Sequence, residues 1–229
     1  MTVAVVGGTG DLGFGLALRL AKAGQEVVIG SRSSEKAADA VTRAWAVLGE
    51  DAPVDGTTND DAVGQSEIVF VTVPFAGQAD TYRSLKDHWV EGSIVCDTTT
   101  PLATAVGGRA TQILRPWQGS AAEQAKSLLP KHVRLVSGFH SIGAEPLEAV
   151  EHEVASDVLL CGDDAEAKAT IGGLVDLVPG MRWVDVGRLA MARVIEPLTA
   201  MLISVNRKYG LKDTGVRLSG RDTWSAPQK

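Results

Sequence analysis

The sequence has little cysteine, no excess of positive charge and no histidine cluster. Its two cysteines, Cys96 and Cys161, each end an apolar run, so we expect buried, reduced thiols rather than a disulfide framework. The net charge is −6 and no Lys/Arg cluster occurs, which argues against nucleic acid as a partner. None of the four histidines has metal-ligand spacing, so we predict no metal site.

Long apolar runs are also missing. None reaches the length of a membrane span, and the opening "MTVAVVGG" enters a strand pattern without a basic region before it, unlike a secretory signal. We therefore expect a cytoplasmic protein that does not associate with a membrane. The 229 residues, 45% hydrophobic and 22% charged, fit one domain with an appendage or two small lobes around one core.

Short β-branched runs alternate with helical patterns over the first 140 residues. Strands are predicted at 2–7, 26–30, 67–74, 92–97 and 132–140, and helices at 11–24, 33–49, 76–88 and 120–130. The last helix opens with a capping box formed by Ser120 and Glu123. This order predicts the α/β class, with a doubly wound (Rossmann), mostly parallel sheet.

The glycines after the first strand are the most informative motif. Gly8-x-Gly10-x-x-Gly13 directly follows the strand and opens the first helix. In this context Gly8 permits the tight turn, Gly10 lets a pyrophosphate touch the backbone, and Gly13 lets the helix pack closely. The free N–H groups at the helix start form an anion site, to which Thr9 adds a hydroxyl. The alternative is a glycine-rich turn without a ligand.

The end of the second strand indicates which dinucleotide is bound. NAD-binding domains place an acid there for the ribose hydroxyls, but this chain has Ser31 and Arg32, followed by Lys36. A planar guanidinium is well suited to grip a 2′-phosphate. We therefore predict NADP rather than NAD, with Ser31 and Lys36 completing the pocket. The alternative is a solvated, charged helix start.

Other strand ends point to the same edge of the sheet, where ligands bind in open α/β folds. Val73 and Pro74 end the predicted strand at 67–74 and are expected to line the ribose and nicotinamide. The next predicted strand ends at 96–99, beside the same crevice. His140 ends the predicted strand at 132–140, and either a functional role or simple loop hydrogen bonding fits it.

The usual acid–base residues of a dehydrogenase are not evident. Tyr82-x-x-x-Lys86 has the spacing used by short-chain dehydrogenases, but it comes too early in the chain, and we interpret it as a coincidence on a helix surface. No glycine-flanked nucleophile is present either. We therefore predict no catalytic side chain and a second substrate that is itself a hydride carrier, since transfer between two such rings requires mainly alignment.

Several segments resemble one family. "VAVVGGTGDLGFGLALRLAKAGQEVVIGSRSSEKA", "WQGSAAEQAKSLLP", "VLLCGDDAEAK" and "VIEPLTAMLISVNRKYG" resemble the F420-dependent NADP reductases, the 8-hydroxy-5-deazaflavin:NADPH oxidoreductases, nearly to the end of the chain. The resemblance implies reversible hydride transfer between the nicotinamide C4 of NADP(H) and C5 of coenzyme F420. The segment "SIGAEP" departs from the family's more usual Thr/Ser-rich version.

Motif and resemblance together give the expected binding residues. Those for NADP are Gly8, Thr9, Gly10, Asp11, Leu12, Gly13, Ser31, Arg32, Lys36, Val73, Pro74 and Phe75. Those for F420 are Phe139, His140, Ser141, Ile142 and Gly143.

The expected domain organisation is an NADP-binding Rossmann-type domain at 1–187 (core 1–140, added edge elements 150–187) and a small helical C-terminal lobe at 188–229. The long apolar helix at 188–210, which Pro197 is expected to kink, favours a homodimer. We expect the last residues of the chain, 221–229, to form a disordered tail. Two other functions stay open: an NADPH-dependent imine or pyrroline-carboxylate-type reductase, and an NADP-binding redox sensor without turnover.

Overall fold

The computed structural model describes residues 1–220, so the expectation for the tail at 221–229 lies outside the described residues. The strands are β1 (Thr2–Val6), β2 (Glu26–Ser31), β3 (Val54–Thr58), β4 (Ile68–Val71), β5 (Ile94–Asp97), β6 (Arg134–Ser137), β7 (Asp157–Gly162) and β8 (Arg182–Asp185). The helices are α1 (Asp11–Lys22), α2 (Ser34–Leu48), α3 (Asn59–Gly64), α4 (Phe75–Ser84), α5 (Ala121–Leu128), α6 (Ala144–Glu148), α7 (Ala165–Asp176), α8 (Ala192–Ile195) and α9 (Leu198–Tyr209).

The strands form one eight-stranded sheet in the order β3-β2-β1-β4-β5-β6-β7-β8. Strands β1 to β6 are parallel, β7 runs antiparallel to β6, and β8 is parallel to β7. The predicted doubly wound, mostly parallel sheet is confirmed. The order reverses between β1 and β4, and this switch point is where such sheets bind ligands.

Helices cover both faces of the sheet. Successive residues of a strand point to opposite faces, and in these buried strands the residues on both faces are apolar, so each face must be shielded from water. Val3 and Val5 of β1 belong to the hydrophobic cluster on one face, which includes residues of α1, α2, α6 and α7. Ala4 and Val6 belong to the cluster on the other face, which includes residues of α3, α4, α5 and α8. The Ser120 cap of α5 is confirmed, since Ser120 Oγ accepts the Glu123 N–H at 3.1 Å. The Glu123 carboxylate accepts the Ser120 hydroxyl at 2.8 Å, in place of the Ser120 N–H of a standard capping box.

Strand β3 and helix α3 were absent from the sequence prediction. The strand has the sequence "VDGTT", with one apolar residue in five, and it lies at the edge of the sheet. An edge strand buries less surface than a central one, so its sequence carries little of the hydrophobic pattern that marks buried strands. The pairing of Val54 with Val27 positions it beside β2.

The predicted long helix at 188–210 is interrupted in the structure. A 3-10 turn at Leu189–Met191 leads into α8, and α9 begins after Pro197, so the break falls where the proline was expected to kink the helix. Contrary to the expectation from the sequence, Leu189–Tyr209 is long and apolar enough to cross a membrane by length and composition alone, and 33% of an 18-residue stretch within it is buried in this fold. The small helical C-terminal part is therefore confirmed, while the division at residue 187 stays a prediction.

Glu196 binds this C-terminal part to helix α5 of the sheet domain. Its carboxylate is 1% exposed and accepts the N–H groups of Ala121 and Ala122 at 3.0 Å each. Burial raises its pKa to about 8, although the two N–H groups favour the charged form. Glu196 thus acts as a second cap for α5, and α8 is held against that helix.

The residues after α9 return to the sheet as a C-terminal strap, defined here as residues 211–218. The Asp157 N–H donates to Val216 O at 2.7 Å, and the Leu218 N–H donates to the Asp157 carboxylate at 2.7 Å. Arg182 and Arg217 bind the same carboxylate at 2.7 and 2.9 Å. One fully buried carboxylate therefore holds the strap at the start of β7.

Replacing this carboxylate is expected to give a pH-dependent loss of stability. Burial alone raises the pKa of Asp157, but the bonds from Arg182, Leu218 N–H and Arg217 outweigh it and lower the pKa to about 2. The stabilisation is present above the unfolded value near 4 and is lost as the pH falls toward 2. At pH 7, Asp157→Asn should lower the free energy of unfolding by about 2 kcal/mol or more.

Chemical denaturation at several pH values measures this effect. The difference between wild type and Asp157→Asn should shrink as the pH falls from 4 toward 2. Asp163→Asn is the matched control, since the Asp163 side chain is 52% exposed and pairs with an exposed arginine; its loss should stay below about 1 kcal/mol. A difference that stays constant from pH 7 to pH 3 would contradict the role given to Asp157.

Candidate functional site: the carboxyl edge of the sheet

The turn between β1 and α1 contains three glycines, Gly7, Gly8 and Gly10. The left-handed residue is Gly7, with a φ of +74°, and not Gly8, so the predicted role of Gly8 in the turn needs correction. A Cβ on Gly8 would lie 2.7 Å from Val5 O, and its N–H donates to Gly30 O at 3.0 Å. Gly8 is therefore held to glycine by close packing on β1 and β2, and Gly7 makes the turn.

Gly10 and Gly13 occupy the positions that the motif predicts. Gly10 is the exposed N-cap of α1, and no side chain of the described residues caps this helix, which leaves its first N–H groups directed at the turn. A Cβ on Gly13 would overlap Thr72 Oγ1 and lie 2.9 Å from Gly8 Cα. The start of α1 thus combines an open backbone cradle with close packing against β4.

Ser31, Arg32 and Lys36 lie together where β2 leads into α2. Ser31 is buried and accepts the Ser33 N–H, and Ser33 caps α2 by accepting the Lys36 N–H. Arg32 and Lys36 are exposed and form no hydrogen bond or ion pair through their side chains within residues 1–220. Two positive side chains without a carboxylate partner in this part of the chain therefore lie beside the end of β2, and such a pair is suited to bind a phosphate.

The end of β4 meets the glycine turn. Thr72 Oγ1 donates to Val6 O at 2.9 Å, and a Cβ on Gly7 would lie 2.8 Å from Val73 Cγ1. Pro74 is the exposed N-cap of α4, and Phe75 is its first residue. The structure thus brings Val73 next to the first turn.

A buried polar cluster lies behind the ends of β4 and β5. Asp97 accepts hydrogen bonds from Tyr82 Oη at 2.7 Å and Gln78 Nε2 at 3.0 Å. Tyr82 is fully buried while Lys86 is exposed, so the placing of this pair on a helix surface was wrong for Tyr82. Burial, followed by the nearby Asp97, raises the Tyr82 pKa well above its usual value, which does not suit proton transfer to a substrate.

His140 lies in a short hydrogen-bonded network. Its ring contacts Ser137 Oγ through Nε2 at 2.9 Å and Thr100 Oγ1 through Nδ1 at 3.2 Å. Thr199 Oγ1 of α9 donates to the His140 carbonyl at 2.6 Å and lies 3.0 Å from Thr100 Oγ1. Burial lowers the His140 pKa to about 3, so the ring is neutral. His140 therefore links β6 and the loop after β5 through its ring, and α9 through its backbone carbonyl.

The segment 139–143 runs from the end of β6 into α6. Phe139 has a φ of +68°, rare for a residue with a side chain, and its ring packs edge-on against Phe70 with centroids 5.5 Å apart. Ser141 and Ile142 are buried, and Gly143 is the N-cap of α6. A Cβ on Gly143 would lie 3.2 Å from Lys212 O of the strap, so the strap backs this segment.

Some residues of the site carried no sequence signal. Thr199 sits in an apolar helix pattern, and Glu196 resembles any helix carboxylate. Within residues 1–220 no group of three or more potential metal ligands occurs. Both cysteines are free and buried, as predicted.

A glycine-rich turn opening a helix at the switch point of a doubly wound sheet defines a dinucleotide-binding protein of the Rossmann class. Residues 2–101 match the family described as "NADP oxidoreductase coenzyme F420-dependent". An F420-dependent NADP reductase of Methanocaldococcus jannaschii is 40% identical over 222 residues, covering 96% of this chain and 98% of the relative. The chain belongs to the F420-dependent NADP reductase family.

Two further comparisons agree. An F420-dependent NADP reductase of Methanothermobacter thermautotrophicus is 38% identical, covering 96% of this chain and 95% of the relative. The crystal structure of a putative F420-dependent NADP reductase from Arthrobacter sp. FB24 superposes with a TM-score of 0.77 at 22% identity, covering 96% of this chain and 99% of that one. At 22% identity, the similarity to this crystal structure shows a shared fold.

Proposed function

We propose that the protein transfers a hydride reversibly between NADP(H) and coenzyme F420. Full-length similarity to F420-dependent NADP reductases carries this proposal. The site supports it, because the glycine turn, Val73 and the segment 139–143 follow the carboxyl ends of β1, β4 and β6, which belong to one parallel stretch of the sheet. In the reduction of F420, NADPH loses a hydride, and F420 gains that hydride and a proton from water.

The binding of NADP is assigned to the turn, the β2 end and the β4 end. The uncapped start of α1, residues 8–13, would hold the pyrophosphate through backbone N–H groups. Ser31, Arg32 and Lys36 would bind the 2′-phosphate, and residues 73–75 would line the nicotinamide. The residues present fit this ligand, since a Cβ on Gly10 would have as its nearest neighbour Gly7 O at 3.5 Å, which leaves the backbone open to a phosphate.

The deazaflavin of F420 is assigned to residues 139–143. The bound rings supply the redox chemistry, and the protein binds and aligns them. His140 is neutral and hydrogen-bonded within the protein, and Tyr82 is fully buried. Both observations fit a reaction in which no side chain transfers a proton.

The direct test mixes the protein with NADPH and oxidised F420 and follows the loss of the visible absorption band of the deazaflavin. Turnover supports the proposed function. No change with intact coenzymes would contradict it and favour the imine-type reductase, which is tested by oxidation of NADPH with a cyclic imine. NADPH binding without turnover of either substrate would favour the redox sensor.

Replacing His140 by alanine should slow turnover with F420 and spare NADPH binding. The ring orients the segment 139–143 through Ser137 and Thr100, while the proposed NADP pocket lies on other strands. We expect kcat/KM for F420 to fall roughly 10-fold or more and the Kd for NADPH to change less than twofold. Steady-state kinetics and fluorescence titration measure the two quantities. Equal losses in both would mean that His140 supports the whole fold.

We also propose a cytoplasmic homodimer that uses neither nucleic acid nor a membrane as a partner. The C-terminal segment exposes Met191, Val194 and Met201 at 36%, 57% and 50%, an apolar face that a second copy would cover. Val194→Asp should shift the protein from dimer to monomer in sedimentation equilibrium, and Val106→Asp, at a separate exposed apolar residue, should not. A wild-type monomer at micromolar concentration would contradict the dimer, and binding of that monomer to lipid vesicles would favour a membrane.

A further inference from the structure

Arg19 is a buried arginine in the middle of α1. It is 3% exposed, and within residues 1–220 its side chain hydrogen-bonds to backbone carbonyls rather than to a carboxylate. Nε donates to Leu147 O at 2.8 Å, Nη1 to Val150 O at 3.3 Å, and Nη2 to Pro146 O and Ala149 O at 2.6 and 2.7 Å. All three guanidinium nitrogens of Arg19 thus donate hydrogen bonds to one short stretch of backbone, which indicates a specific structural role.

The role of Arg19 is to hold α6 in place. Helix α6 has five residues, too few to be stable alone, and the carbonyls at its carboxyl end have no partners within the helix. Arg19 satisfies these carbonyls and places a positive charge at the negative end of the helix. The position of α6 therefore depends on a side chain of α1.

The two helices also touch through their backbones. A Cβ on Gly15 would lie 2.7 Å from Leu147 Cβ and 3.1 Å from Glu148 N. Glycine at this position lets α6 lie directly on α1, four residues before Arg19. The contact leaves little freedom for α6 to slide or tilt.

Helix α1 thereby joins the two proposed binding regions. Its first turn is the proposed pyrophosphate site. Arg19, eight residues after Asp11 and so about 12 Å along the axis, holds α6, whose N-cap Gly143 is the last residue of the segment assigned to F420. One rigid element therefore carries both regions.

We infer that Arg19 is a positioning residue for hydride transfer, which sets the spacing between the nicotinamide and the deazaflavin by fixing the segment 139–143 relative to α1. This inference rests on the proposed function. It assigns no contact between Arg19 and either coenzyme. Loss of the anchor should weaken F420 binding and alignment and leave NADP binding intact.

Two variants that disturb the contact in different ways test the inference. Arg19→Met removes the hydrogen bonds at similar side-chain length, and Gly15→Ala pushes α6 away while keeping the guanidinium. Both should lower kcat/KM for F420 roughly 10- to 100-fold, because misplacement by about 1 Å has effects of that size. The Kd for NADPH should change less than twofold.

Lys22→Met is the matched control. Lys22 lies one turn further along α1 and also reaches Val150 O, but it is 41% exposed and pairs with the exposed Glu151. Its replacement should leave both kcat/KM for F420 and the Kd for NADPH within twofold of wild type.

Two readouts separate positioning from a general loss of structure. Amide hydrogen exchange should accelerate at residues 140–150 in both variants and stay unchanged in β1 and β4. The primary isotope effect with NADPH deuterated at the transferred position should rise, since poorer alignment makes hydride transfer more nearly rate-limiting.

The outcomes are distinguishable. If the wild type does not reduce F420, the proposed function and this inference both fail. If the wild type is active and both variants match Lys22→Met, or lose NADPH and F420 binding equally, the positioning role alone is overturned. If Arg19→Met does not fold, Gly15→Ala decides by the same measurements.

Discussion

Arg32→Asp is expected to raise the Kd for NADPH roughly 30- to 1,000-fold, which corresponds to about 2–4 kcal/mol of lost binding energy. The guanidinium is exposed and has no partner among residues 1–220, so it is available to a 2′-phosphate without first breaking an ion pair. Aspartate would place a negative charge against that phosphate. Fluorescence titration with NADPH measures the change.

NADH provides a control for this prediction, because it lacks the 2′-phosphate. Its Kd should change less than about threefold, so the preference for NADPH should collapse. Arg207→Asp makes the same change of charge on the last turn of α9, where the arginine is also exposed, and should leave NADPH binding unaffected. Equal losses for NADPH and NADH would place Arg32 outside the phosphate pocket.

The central part of the fold could be predicted from the sequence because buried parallel strands read as apolar runs. Strands β1, β2 and β4 are such runs, and helices α2 and α5 begin after the capping residues Ser33 and Ser120. Edge strand β3 lacks this pattern and was missed. A continuous apolar run indicates a strand that is buried on both faces, and an edge strand is less buried than a central one.

The candidate site was predictable where local backbone geometry dictates the residue. Gly10 and Gly13 occupy their expected places because a helix start close to a strand excludes side chains. The turn residue was assigned one position too late, since "GG" at 7–8 does not say which glycine takes the positive φ. The structure assigns it to Gly7.

Contacts between distant segments could not be predicted from one sequence. Arg19 looks like a solvated helix arginine until α6, 127 residues later in the chain, is placed against it. The bond from Thr199 to His140 and the capping of α5 by Glu196 are of the same kind. Each depends on tertiary packing that leaves no mark on the local pattern.

Gly13→Val is expected to disrupt both stability and NADPH binding. The added side chain would meet Thr72 Oγ1, Gly8 Cα and Gly7 O, of which the last two are backbone atoms that cannot rotate away. Such overpacking should lower the free energy of unfolding by about 3 kcal/mol. Because α1 must move away from β4, its first turn loses its position in the pyrophosphate cradle, and the Kd for NADPH should rise roughly 100-fold or more.

Gly173→Val is the matched control for Gly13→Val, since both glycines lie within helices. A Cβ on Gly173 meets nothing within 4 Å, so valine there should change the free energy of unfolding by less than about 0.5 kcal/mol and leave NADPH binding as in wild type. Chemical denaturation and NADPH titration on the two variants measure the contrast. Gly13 differs from Gly173 in the close approach of α1 to β4 and in its place within the proposed pyrophosphate site. Similar behaviour of both variants would contradict the role given to this close packing.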